Sequence, residues 1–137
     1  MKTTLDEGSR KDLIEYRMSR SRETLEEAQY NARGEYYNAA VNRLYYSCYY
    51  AASALMLDAN IETSTHNGIK SMIGLKFVRT GLLDAKYGRI YQQLFENRQS
   101  GDYEDFIYCD KELYDALYPQ AQDFIDQIEE LITTSNQ

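Results

Sequence analysis

Apolar residues recur along this chain at intervals of three and four, the spacing of one face of an α-helix. Ile14, Met18, Ser21, Leu25, Ala28 and Ala32 make one such stripe. It predicts a helix from about Ser9, a plausible N-cap, to Arg33, with Gly34 as the break. A second helix is predicted from about Glu35 to Asn60, with Tyr37, Val41, Leu44, Cys48, Ala51 and Leu55 on one stripe. Tyr45, Tyr46, Tyr49, Ala52 and Met56 leave little of its circumference polar, so it is expected at the centre of the molecule or at an oligomer interface. After the polar stretch DANIETSTHNG, Ile69, Met72, Ile73 and Phe77 mark a shorter helix ending near Gly81. Asp84 is placed to cap a fourth helix buried through Tyr87, Ile90, Tyr91, Leu94 and Phe95. Arg98 lies four residues beyond Leu94 and is therefore expected to leave that helix from its buried face. Asp110 is placed to cap the last helix, with Leu113, Leu117, Ala121, Phe124, Ile128 and Leu131 as its stripe. Pro119 interrupts that stripe and predicts a kink or a short break, since an interior proline costs about 3 kcal/mol. The fold class is all-α.

Length and composition narrow the picture. A chain of 137 residues, 43% hydrophobic and 27% charged, fits one globular domain over residues 1–137, with its core at about 9–133. No apolar run approaches the roughly 20 residues of a membrane helix. The start, MKTTLDEGSRKDL, has no apolar stretch behind its first charge, so no secretory signal is expected and the location is taken as cytoplasmic. Cys48 and Cys109 sit in or beside apolar runs and are read as buried, reduced thiols. The net charge of −7 argues against non-specific coating of nucleic acid. That charge is uneven: six bases stand against Asp84 and Glu96 in residues 63–98, while ten acids stand against Lys111 from residue 99 onward. The basic middle is read either as solvated helix faces or as a local anion-binding surface.

Several chemistries are excluded. His66 is the sole histidine, and its context reads as the mouth of the third helix, where a capping or supporting role suits it. No metal-binding pattern, glycine-rich phosphate loop or dinucleotide fingerprint is present, so no metal and no cofactor is expected. Tyrosine is the compositional oddity, with 14 copies. Six of them, Tyr36, Tyr37, Tyr45, Tyr46, Tyr49 and Tyr50, crowd the second helix, as a packed core or as a pocket floor. Arg43 shares a face with Tyr46, Ser47 and Tyr50 and needs a partner, because an unpaired buried guanidinium is costly. Asp102, another carboxylate near the end of the fourth helix, or a bound anion are the candidates.

In their order, Gly34, Tyr36 or Tyr37, Ala39 or Ala40, Arg43, Tyr45, Tyr46, His66, Arg98, Asp102 and Tyr103 resemble the HEPN family (higher eukaryotes and prokaryotes nucleotide-binding domain) over roughly residues 14–132. The resemblance implies an up-and-down bundle of four main helices plus one short helix, usually homodimeric. Many members are metal-independent ribonucleases with an R-x(4–6)-H motif completed by both protomers, toxins that work beside a small nucleotidyltransferase. Others are nucleotide-binding or regulatory subunits. This chain carries Arg98 on the arginine of the motif but Tyr103 in place of the histidine, and a neutral tyrosine is a poor base at pH 7.

The first expectation is thus a homodimeric subunit that binds a nucleotide or an RNA phosphate and works with a nucleotidyltransferase. Its ligand-binding residues would be Arg43, Tyr46, Tyr50, His66, Arg98 and Asp102. The alternative is a ribonuclease using Arg98 and Tyr103, or His66 as a substitute imidazole. A third reading is a structural dimer with an Arg98 to Asp102 ion pair.

Overall fold

The computed structural model describes residues 6–98 and 108–135. Helix α1 spans Glu7–Arg33, α2 Tyr37–Asp58, α3 His66–Met72, α4 Ala85–Asn97 and α5 Lys111–Ser135. A π-helical turn, Ile73–Val78, continues α3. The chain is all-α, as the apolar spacing predicts, and its four long helices and one short one form the bundle that the resemblance implies, with no strand among the described residues.

Helix α2 is the axis. It packs along α1 and against α5, α4 and α3, and its near-continuous apolar circumference explains why: twelve of its residues are buried. Two polar ties hold its neighbours in register. The buried Ser21 hydroxyl of α1 donates to the Ser47 carbonyl at 2.6 Å. The Cys48 thiol, wholly buried, donates to the Ala121 carbonyl of α5 at 3.6 Å. Both cysteines are buried and free, as expected. On the outside, Arg22 of α1 grips Asp126 and Glu129 of α5 at 2.8 and 2.9 Å.

The helix ends correct several expectations. Asp6, not Ser9, caps α1: its carboxylate accepts from the Ser9 N–H at 2.7 Å, and the helix starts two residues earlier than predicted. Aspartate accepts strongly from an N-terminal turn, which leaves Ser9 as the donor. Gly34 does end α1, but with φ −85°. The left-handed residue is Glu35 at φ 67°. Gly34 instead leaves room for the Tyr36 ring, which a Cβ there would meet at 2.9 Å and push aside. Asp84 and Asp110 cap α4 and α5 as predicted, accepting from Lys86 and Leu113 N–H groups at 2.9 Å. Pro119 causes no break, and α5 runs through it. The carbonyl that loses its donor belongs to Asp115, an exposed residue like Pro119 itself, so water can serve it. Among the described residues no helix is long and apolar enough to cross a membrane.

Candidate functional site

The tyrosine-rich face of α2 meets the first turn of α3 and the last turn of α4. Thr65 caps α3 by accepting from the Gly68 N–H at 2.9 Å, which sets His66 at the first helical position. His66 is thus beside the cap, not the cap itself. Its Nδ1 lies 2.6 Å from the hydroxyl of Tyr45, a residue with no exposed surface. The Tyr49 ring stacks on the imidazole with centroids 4.5 Å apart, and Tyr46 meets it edge-on at 5.8 Å. Tyr49 is anchored in turn by donating to the Ser64 carbonyl at 3.4 Å. Three residues of one helix thereby hold the imidazole in place.

Arg98 caps the end of α4 and folds back over it. Its guanidinium donates to the Phe95 carbonyl at 3.0 Å, with Cζ 4.0 Å from the centre of the Phe95 ring and 5.6 Å from that of Tyr45. Lys70 of α3 sets its ammonium 4.4 Å from the same Phe95 ring. Phe95 therefore carries two cations, and its ring stabilises each by about 0.5–1 kcal/mol at a half-exposed site, the size of a surface ion pair. Among the described residues neither Arg98 nor Lys70 is paired with a carboxylate.

Arg43 behaves otherwise. Its guanidinium covers the Tyr46 ring at 5.1 Å and pairs with Glu27 of α1 at 3.4 Å. The partner expected near the end of α4 is thus found on α1, because the half-exposed Arg43 side chain leans toward that helix. Tyr50 lies under Arg20 of α1 at 5.3 Å and joins the cluster through Tyr49 at 6.0 Å. His66 and Arg98 come together at the Tyr45 ring, while Arg43, Tyr46 and Tyr50 form the adjoining flank. Asp102 and Tyr103, the other expected site residues, lie outside the described residues.

The electrostatics of the corner follow from burial. Burial pushes the Tyr45 hydroxyl up to about 12, against the opposing pull of the Arg98 charge, and raises Tyr49 as well. Tyr91, deeper still, is raised far more for the same reason. His66 is lowered, first by burial and then by the positive charge of Arg98. Near pH 7 the corner therefore holds a neutral imidazole and neutral Tyr45 and Tyr49 hydroxyls beside Arg98 and Lys70. Such a set can bind an oxyanion through charge and N–H donors.

Sequence reasoning missed Lys70, Phe95 and Arg20. Lys70 stands four residues after His66, and Arg98 three after Phe95, so a search for i,i+3 and i,i+4 neighbours of the singled-out residues would have found both.

An all-α bundle with a tyrosine, histidine and arginine corner at one end is one class of molecule, and comparison with known proteins gives it a family. The model of the HEPN domain matches residues 14–131, and the chain belongs to the HEPN family. A UPF0332 protein of Thermotoga maritima is 35% identical over 91% of this chain and 95% of its own length. Two proteins of Methanocaldococcus jannaschii that bear the name "Putative toxin" are 30% and 27% identical. The first match covers 96% of this chain and 97% of the relative, the second 90% and 84%.

Proposed function

We propose that this protein is a toxin-type HEPN subunit that binds a nucleotide or an RNA phosphate at the corner formed by Arg98, Lys70 and His66. It acts as a homodimer together with a small nucleotidyltransferase. One observation carries the reading: two cations, neither paired with a carboxylate among the described residues, stand on a single aromatic ring beside an imidazole. Elsewhere in the bundle, Arg20, Arg22, Arg43 and Lys86 are each engaged by acids. The names of the two archaeal relatives support the toxin role. Homodimerisation and the nucleotidyltransferase partner rest on membership of the family.

Titrating AMP, ATP and a short single-stranded RNA into the protein and into Arg98→Ala tests the binding. Affinity should fall at least tenfold in the variant, and equal affinity, or none in either protein, refutes the proposal. Light scattering should give about twice the 16.0 kDa chain mass, and a monomer would remove the dimer from the reading.

A further inference from the structure

A buried hydroxyl and an imidazole nitrogen meet behind the corner. Deeper in, the Tyr91 ring packs 5.8 Å from the Tyr45 ring, and its buried hydroxyl makes no hydrogen bond among the described residues. The Tyr45 hydroxyl in turn lies 2.6 Å from His66 Nδ1. A tyrosine hydroxyl supplies one proton, and a neutral imidazole carries one N–H and one bare nitrogen, so the arrangement has two polarities. If Nδ1 carries the proton and donates to Tyr45, the Tyr45 proton is left buried with no acceptor among the described residues. If Nδ1 is bare, Tyr45 donates to it and the buried Tyr45 proton has its acceptor. Leaving a buried donor unsatisfied is costly, which selects the second polarity.

We propose that Tyr45 holds His66 in the tautomer protonated on Nε2, and that this N–H joins the Arg98 guanidinium in binding a phosphate oxygen. Nε2 makes no hydrogen bond among the described residues, and the stacked Tyr49 ring fixes the plane in which its proton points. His66 is then a neutral donor, not a base. It adds a direction to the charge of Arg98 without competing with it as a second cation would. Tyr45 is a positioning residue that acts through His66. The inference rests on the phosphate-binding reading and separates it from the ribonuclease alternative, in which a bare Nε2 would have to accept a hydroxyl proton.

His66 is the sole histidine, so nitrogen NMR of protein labelled at histidine shows one imidazole. At pH 7.5 its Nε2 should give the protonated, pyrrole-type signal and Nδ1 the bare, pyridine-type one. Tyr45→Phe should move population toward the Nδ1-protonated form. In titrations with AMP, and with inorganic phosphate as a minimal probe, His66→Phe should lose at least tenfold in affinity. His66→Gln, which keeps an N–H donor, should stay within about threefold of the parent protein, a rescue that a packing role would not produce. A mainly Nδ1-protonated imidazole in the parent protein, or His66→Phe binding as tightly as the parent, overturns the inference. If binding depends on Arg98 but not on the His66 donor, this inference alone fails. Absence of any Arg98-dependent binding removes the broader proposal and the anion role of His66 together.

Discussion

Protonating His66 sets a second positive charge beside Arg98 and breaks the acceptor role of Nδ1 toward Tyr45, so the folded state resists it. Burial and the Arg98 charge keep the imidazole below its ordinary value of 6.5 in the folded chain, whereas the unfolded chain titrates near that value. Between the two values the unfolded state binds more protons, and stability must fall as pH drops through that window; above about 6.5 the contribution is complete. Urea denaturation at pH 7.5 and 5 should therefore show a loss for the parent protein that is smaller in His66→Gln. Identical losses would mean that His66 is indifferent to its surroundings. At this scale the sequence was informative where one helix decides the matter: the four-residue step from Leu94 brought Arg98 off the buried face of α4. It was silent where two helices decide. Glu27 reaches Arg43 only through the register of α1 on α2, which the spacing along either helix leaves open.

Helix ends and interruptions show the same division. The carboxylates that cap α4 and α5 were legible because a cap and its recipient lie within three residues of each other. The π-helical turn was not legible, since Ile73 and Phe77 face the core with either winding. Its mark is the bond from the Arg79 N–H to the Gly74 carbonyl at 2.9 Å, five residues back. Gly68 also escaped notice. A Cβ on it would drive into the Thr63 hydroxyl and come within 2.7 Å of the Thr65 oxygen that caps α3. Gly68→Ala should therefore cost about 1–2 kcal/mol, the worth of a lost cap, and disturb the His66 NMR signal. A variant as stable as the parent with an unchanged imidazole would show that the threonines yield freely. Pro119→Ala should act the other way. It restores a backbone donor at an exposed position in a continuous helix, so unfolding should become harder by about 2 kcal/mol. A destabilised variant would reveal that the packing of α5 depends on the proline.

In the whole molecule one helix touches almost everything, and the sequence announced it: few soluble helices carry so little polar surface as α2. What composition could not announce is the division of charge that results. The acids of α5 are partly taken up by Arg22 and Lys86 from neighbouring helices, and at the corner Lys70 and Arg98 have no acidic partner among the described residues. The two cysteines add a built-in clock. Cys48 lies sealed between α2 and α5, and burial raises its thiol far out of the reactive range. Cys109 is buried next to the start of α5, where its N–H is held by Asn38 at 2.7 Å. A thiol reagent should therefore label Cys109 at the rate at which that helix end loosens, and Cys48 only when the bundle opens as a whole. Mass spectrometry of a labelling time course should resolve two well-separated rates. Equal rates would mean that the bundle opens in one step, so that the stability of its edge and that of its centre are a single number.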